Sequence, residues 1–133
     1  MKIVNAIPAL PVKDIKKSAL FYQDKLGFTI KYEEKGFAIV SYHDVEIHLW
    51  LADDEEWRNR SVTTCPVVSG AESFISGTAS CRLEVNGIDE LYNQLKSNRV
   101  FHPNTTLGDR PWGLREFDVL DMDGNLITYF ERK

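Results

Sequence analysis

The sequence predicts an α+β fold in which a β-α-β-β-β module occurs twice. The most informative stretch lies near the C-terminus. There, one strand passes through residues 117–120, Asp123-Gly124-Asn125 form a tight turn, and a second strand follows at 126–130. Asp-Gly between apolar runs is a strong hairpin signal, because Gly adopts positive φ without strain. The same strand, turn and strand order occurs at residues 37–50. Such a repeat indicates that a functional site lies between the copies.

The first module is predicted to span about residues 2–51. Residues 3–12 are apolar but contain Pro8 and Pro11, which predicts an edge strand or a strand that pairs outside its own half. Asp14 is a suitable N-cap, and the helix that follows has an apolar stripe and ends at Gly27. Strands are predicted at residues 28–32 and in the hairpin. The stripe consists of Ile15, Ala19, Tyr22 and Leu26.

The second module is predicted to span about residues 78–132, after a connecting loop at 52–77, so that residues 1–133 form a single domain. Alternation at 78–85 sends Ser80, Arg82 and Glu84 to one face of a strand. A helix follows at residues 88–95, and residues 100–101 correspond to 27–28. Each helix covers one face of a curled sheet, and the opposite faces form two cups that enclose a cavity. Aligning the two hairpins at Asp44 and Gly124 equates Phe37 with Phe117, Ile39 with Val119, and His48 with Thr128.

Composition narrows the range of partners. The net charge of −4 and the pI near 5.4 argue against nucleic acid as a partner and are compatible with cationic ligands. No apolar run approaches the roughly 18 residues that a membrane-spanning helix needs, so we expect a cytoplasmic protein with no membrane partner. Cys65 and Cys81 have no metal-binding spacing and are expected to be free thiols.

Several motifs resemble those of the vicinal-oxygen-chelate superfamily, which includes glyoxalase I, fosfomycin-resistance enzymes and bleomycin-resistance proteins. They are Pro11-Val12-Lys13-Asp14, residues 18–22, Leu26-Gly27-Phe28 and residues 121–124. A second group of motifs is especially similar to the bleomycin-resistance proteins: residues 7–12, 47–50, 70–74 and 102–105. The first group indicates the fold alone, since many activities share it. The second group is more specific for function.

The resemblance also raises the question of a metal, because enzymes of this superfamily bind a divalent metal through one cup-facing residue on each of four strands. The repeat places these positions at Ile7, His48, Ser80 and Thr128. Only His48 is a competent ligand, and transition-metal sites usually need three or more. We therefore expect no metal and no other cofactor, unless a metal arrives bound to the ligand. A displaced site that combines His48 with Glu46 or Glu84 stays open.

A ligand-binding site is predicted on the cup faces. The resemblance implies that Phe37 and Trp112 sandwich the flat bithiazole of a bleomycin-type drug. Trp112 also stands in a turn-rich segment, where a core tryptophan is unexpected. The predicted ligand-binding residues are Phe37, Glu46, His48, Trp50, Ser80, Arg82, Trp112 and Gly113. An acidic run is expected to attract the cationic tail of the ligand: Asp53, Asp54, Glu55 and Glu56.

The sequence thus predicts a homodimer, with no catalytic residues, that sequesters glycopeptide antibiotics of the bleomycin, phleomycin or tallysomycin type without altering them. The resemblance implies that the N-terminal strand is exchanged between subunits, and Pro8 and Pro11 are compatible with such an arm. Two alternatives stay open. One is a metal-dependent lyase, isomerase, dioxygenase or thiol transferase on the same fold. The other is a protein that binds a different planar molecule.

Overall fold

The computed structural model describes residues 1–52, 59 and 75–133, which form two βαβββ modules. Sheet A has the strand order β1-β4-β3-β2 and sheet B the order β5-β8-β7-β6. In each sheet the first pair is parallel and the other pairs are antiparallel. This mixed pairing confirms the predicted α+β class. The elements are β1 (Ala9–Val12), α1 (Ile15–Leu26), β2 (Thr29–Glu34), β3 (Phe37–Tyr42), β4 (Val45–Leu51), β5 (Ser80–Glu84), α2 (Ile88–Leu95), β6 (Gly108–Asp109), β7 (Leu114–Leu120) and β8 (Leu126–Arg132).

Helix α1 begins and ends where the sequence predicts. The Asp14 side chain accepts a hydrogen bond from the backbone N–H of Lys17 (2.9 Å), and Gly27 takes the left-handed conformation with φ of 82°. The predicted apolar stripe is buried and joins a core that extends through both modules. Neither helix in the described chain has the length and apolarity that a membrane crossing requires.

The N-terminal segment forms a shorter strand than predicted. Only residues 9–12 enter sheet A, where β1 is an edge strand beside β4 of the same chain. Pro11 is accommodated because an edge strand leaves one row of backbone groups outside the ladder. Its carbonyl instead accepts a hydrogen bond from Asn125 Nδ2 (2.8 Å). The preceding residues form no strand, and Met1, Ile3 and Val4 are exposed.

The second strand of the second module is not at residues 100–101, as the alignment of the modules suggested. Phe101 makes only an isolated bridge to Val119, and the strand paired with β7 is β6. The Phe101 ring stacks on Tyr92, with centroids 4.7 Å apart, and lies edge-on to Phe117. Its ring thus packs under α2. The backbone on either side of it accepts from Leu120 N at the Val100 carbonyl (2.9 Å) and donates from His102 N to the Asp118 carbonyl (3.1 Å), so this short segment lies beside β7.

The predicted alignment of the two hairpins was wrong by one residue on its first strand. His48 and Thr128 are equivalent, because each lies beside the parallel edge strand of its sheet. However, His48 pairs with Ile39, whereas Thr128 pairs with Asp118 rather than Val119. The cause is an additional residue in the second turn.

That turn runs through residues 121–125 and is folded around the Asp121 carboxylate. Asp121 Oδ1 accepts hydrogen bonds from the backbone N–H groups of Asp123 and Asn125, both at 2.9 Å. A shift of one residue moves a side chain to the other face of a strand. Phe117 is therefore fully buried on the helix side, and the true counterpart of Phe37 is Glu116.

A buried polar network joins the modules at this turn. Asn125 Nδ2 donates to the Pro11 carbonyl and to Asp121 Oδ2 (2.8 and 2.9 Å), and Asn125 Oδ1 accepts from Ala79 N (3.2 Å). The Tyr22 hydroxyl also donates to Asp121 Oδ2 (2.9 Å). Burial raises the pKa of Tyr22 well above its usual value, and the charge of Asp121 is the second largest cause. These bonds fix β1, α1 and the second hairpin relative to one another.

Candidate ligand-binding site

Each sheet has one face against its helix and an opposite face that we call the open face. In sheet A, Ala38, Val40, Ile47 and Leu49 are buried on the helix side, and the alternate residues point away from it. The open face of sheet A consists of Phe37, Ile39, Ser41, Glu46, His48 and Trp50. The open face of sheet B consists of Ser80, Arg82, Glu84, Glu116, Asp118, Thr128 and Phe130.

Four predicted ligand-binding residues meet on the open face of sheet A. Phe37 and Trp50 are paired across the β3–β4 ladder, and both are half-buried. The Phe37 ring lies edge-on to His48, with ring centroids 5.0 Å apart. His48 Nε2 is 3.3 Å from Glu46 Oε1. This face therefore combines aromatic surface with a polar pair.

The other four predicted residues lie on or beside the open face of sheet B. Ser80 and Arg82 are exposed on β5, and Arg82 Nη2 is 2.7 Å from Glu116 Oε2. Trp112 stands in the turn between β6 and β7 and is 62% exposed, as expected of a residue outside the core. Gly113 follows it with φ of 84°. An added Cβ at Gly113 meets no atom within 4 Å, so the glycine is required by its backbone conformation and not by close packing.

The predicted ligand-binding residues of sheet A and those of sheet B stay separate within the described chain. Phe37 contacts Tyr32 and His48, and no aromatic contact in this part of the chain joins Phe37 to Trp112. The predicted sandwich of a planar ring between Phe37 and Trp112 is thus not formed within one subunit by the residues that the structure describes. It stays a prediction that depends on how subunits assemble.

Sequence reasoning missed Glu116, which connects several residues of the open face of sheet B. It is 7% exposed, yet its carboxylate contacts Arg82 and accepts a hydrogen bond from Trp112 Nε1 (3.4 Å). Arg110 Nε lies 3.8 Å from Glu116 Oε1. The alternation of Glu116 and Asp118 with the apolar residues of β7 was the available signal, because it places both carboxylates on the face opposite the core.

The four positions that hold a metal in related enzymes do not fit one here. Ile7 precedes β1 and has no donor atom, and the Thr128 hydroxyl donates to Asp118 Oδ1 (2.5 Å). Ser80 is a weak ligand, which leaves His48 alone. Within residues 1–52, 59 and 75–133, no group of three or more His, Cys, Asp or Glu side chains is arranged to bind a metal.

Cys81 packs on the helix side of sheet B and not on an open face. Cys81 is a free thiol packed against the core, and burial raises its pKa to about 11, with a smaller contribution from Asp121. It is therefore protonated at neutral pH and a poor nucleophile. Cys65 and the predicted acidic run (Asp53, Asp54, Glu55 and Glu56) lie outside the described residues.

A cavity of about 460 Å³ lies on the helix side, between the first hairpin and α2. Phe28, Tyr42, Leu83 and Tyr129 form apolar walls, and Glu90 contributes a carboxylate. None of the eight predicted ligand-binding residues lines it. Of the residues on the two open faces, Glu84 at the end of β5 also lines this cavity.

A family profile described as the Glyoxalase/Bleomycin resistance protein/Dioxygenase superfamily matches residues 4–129. The chain belongs to this superfamily. It is 57% identical over 130 residues to a bleomycin resistance protein of Geobacillus stearothermophilus, with 98% of each chain covered. A bleomycin resistance protein of Staphylococcus aureus (strain N315) shows the same identity and coverage.

Solved structures of superfamily members share the fold. The bleomycin-binding protein of Streptomyces verticillus, complexed with copper(II)-bleomycin, superposes with a TM-score of 0.74 at 22% identity and covers 100% of this chain and 99% of its own. The bleomycin resistance determinant encoded on transposon Tn5 has a TM-score of 0.69 at 23% identity, with 98% and 99% covered. At these identities the superpositions support the architecture alone.

Proposed function

We propose that this protein binds bleomycin-type glycopeptide antibiotics and confers resistance by sequestering them unaltered in the cytoplasm, away from DNA. The observation that carries the proposal is the 57% identity, over 98% of both chains, to a bleomycin resistance protein. At this identity and coverage we infer a shared ligand class. The structure supports it through surface aromatic groups that a planar ligand can stack on, Phe37 and Trp50 on sheet A and Trp112 beside sheet B.

We propose further that the binding site is completed in a homodimer. Phe37 and Trp112 belong to different faces, so a flat ring between them is best explained by the open face of sheet A in one subunit opposing that of sheet B in its partner. Residues 1–7 supply a candidate exchanged arm. They lie outside every strand of the described chain, and they expose Met1, Ile3 and Val4, which favours their burial against another subunit.

No bond chemistry is assigned to the protein in this proposal. Stacking on aromatic rings and attraction by the acidic run (Asp53, Asp54, Glu55 and Glu56) suffice for a large amphiphilic cation, and the net charge of −4 favours such a ligand. The competing proposal, a metal-dependent enzyme of the same superfamily, requires ligands beyond His48. Elemental analysis of the purified protein is expected to find no stoichiometric divalent metal. About one tightly bound metal per subunit would favour the enzyme.

The proposal is tested by titrating copper(II)-bleomycin and metal-free bleomycin into the purified protein by isothermal calorimetry. We expect saturable binding of both forms, because the sandwiched bithiazole is distinct from the metal-chelating part of the drug. A parallel assay follows plasmid cleavage by iron-bleomycin, and cleavage should cease when binding sites equal drug molecules. Absence of saturable binding to either form, or cleavage that continues with sites in excess, contradicts the proposal. A different planar cation that binds in the same assay points to the alternative ligand.

A further inference from the structure

Glu116 is an unusual residue for an otherwise solvated face. Two other carboxylates of the open faces are more accessible: the side chain of Glu46 on sheet A is 31% exposed and that of Glu84 on sheet B is 48% exposed, against 9% for Glu116. A carboxylate this buried is costly unless its charge and its lone pairs are satisfied. Here a guanidinium contacts each oxygen, Arg82 at Oε2 (2.7 Å) and Arg110 at Oε1 (3.8 Å).

The same carboxylate also contacts the exposed tryptophan. Trp112 Nε1 donates to Glu116 Oε2 at 3.4 Å, although most of the indole is in solvent. A side chain this exposed has few packing contacts that select its rotamer. The bond to the Glu116 carboxylate restricts the rotation of the indole ring. Arg110, which lies beside the same carboxylate, is itself held in place by donating to the Thr106 carbonyl (2.9 Å). Glu116 thus connects the aromatic group and two cations of the open face of sheet B.

We propose that Glu116 is a positioning residue for ligand binding: it orients the indole of Trp112 as a stacking surface and holds Arg82 beside it. It acts through Trp112 and Arg82 rather than by contact with the ligand. The part of this inference that concerns affinity rests on the proposed function, whereas the orientation of Trp112 can be tested without any ligand.

The first test follows the indole N–H signals of the free protein by ¹H–¹⁵N NMR. The chain has three tryptophans, and the Trp112 signal is assigned by its disappearance in Trp112→Phe. Glu116→Met has a similar side-chain length and no oxygen acceptor, so the Trp112 indole proton should shift upfield and its signal should broaden. Glu116→Gln keeps an oxygen acceptor and should give an intermediate shift. An unchanged Trp112 signal in both variants overturns the proposal.

The second test measures bleomycin affinity in the same variants. We expect Glu116→Met to weaken binding about 5- to 20-fold, within the range of up to about 150-fold that corresponds to loss of a stacked ring. Glu116→Gln should lose about 2- to 5-fold, because it removes the charge and keeps the acceptor. In the background of Trp112→Ala, the effect of Glu116→Met should shrink, since there is no ring left to orient.

Asp89→Asn is the matched control, because Asp89 also accepts from an arginine, Arg115 (2.8 Å), but its side chain is exposed at the start of α2. It should leave both the Trp112 signal and the affinity within about twofold of wild type. Weaker binding in the Glu116 variants with an unmoved Trp112 signal assigns Glu116 to direct ligand contact and overturns the positioning role. If Glu116→Met fails to fold, the Trp112 indole signal and the bleomycin affinity of Glu116→Gln test the positioning role instead. Failure of the wild-type protein to bind bleomycin refutes the proposed function and leaves the NMR test intact.

Discussion

Replacement of Trp112 by Ala separates ligand binding from core packing more sharply than any other substitution in this chain. Trp112 is 62% exposed, and its polar contact is one long hydrogen bond to Glu116 (3.4 Å). Its removal should therefore lower the free energy of unfolding by less than about 1 kcal/mol. Loss of a stacked ring should weaken drug binding by about 1–3 kcal/mol, or about 5- to 150-fold in affinity.

Phe117→Ala supplies the matched comparison. Phe117 is fully buried between Tyr92, Phe101 and Tyr129, so its truncation should cost about 3–5 kcal/mol of stability. The assay is a pair of curves for each variant, chemical unfolding followed by circular dichroism and calorimetric titration with bleomycin. The reasoning is refuted if Trp112→Ala unfolds as easily as Phe117→Ala, or if the folded Trp112→Ala protein binds the drug with wild-type affinity.

Three further predictions follow from the fold. Deletion of residues 1–7 should give a folded monomer with weakened drug binding, since these residues precede both β1 and Pro8, whose carbonyl accepts from His48 N (3.0 Å); a truncated protein that sediments as a dimer contradicts the exchanged arm. Asn125→Ala should destabilise by roughly 3 kcal/mol in chemical unfolding, because it removes three hydrogen bonds and leaves the Pro11 carbonyl and the Ala79 N–H without these partners; a loss below about 1 kcal/mol contradicts the role given to the network. Stability should begin to fall above about pH 9, where the unfolded Cys81 thiol ionises, and should fall more steeply above about pH 10, since the raised pKa of Tyr22 means that the folded state favours the protonated phenol. In Tyr22→Phe this fall should be shallower, with Cys81 and Tyr129 responsible for the remainder; equal slopes in thermal melts from pH 8 to about pH 11 refute the assignment.

Local signals in the sequence predicted most of the fold. Asp14 and Gly27 define α1 because capping acts between residues close in the chain. The alternation in β5 correctly separated exposed Arg82 from Cys81 and Leu83, since one face of the strand is buried. In such segments the local pattern and the tertiary structure favour the same conformation, so neither overrides the other.

The register of the second hairpin could not be predicted in the same way. It depends on Asp121, whose side chain folds residues 121–125 into a longer turn and also binds Tyr22 from the first module. That contact joins residues that are far apart in the sequence, so no local pattern reports it. The result was a shift of one residue, which exchanged Phe117 for Glu116 on the open face.

The candidate site was predicted in part for a related reason. Exposed aromatic and polar residues such as Phe37 and Trp112 can be recognised by their positions in strands and turns. The alternation along β7 places Glu116 on the open face but does not predict its burial, because a glutamate in a strand is usually solvated and this one is covered by Arg82 on β5 and Arg110 beside β6. Contacts between separate strands determine such a cluster, and a single sequence does not record them.

In the proposed function, the protein binds bleomycin and leaves it chemically intact. The most direct measurement incubates the purified protein with a known amount of bleomycin for many hours, with and without added divalent metal. The complex is then isolated by gel filtration, the drug is released from the protein, and its molecular mass is measured by mass spectrometry. We predict stoichiometric recovery of drug of unchanged mass that cleaves plasmid DNA again after release. A drug recovered with an altered mass, or one that emerges separately from the protein, contradicts the claim.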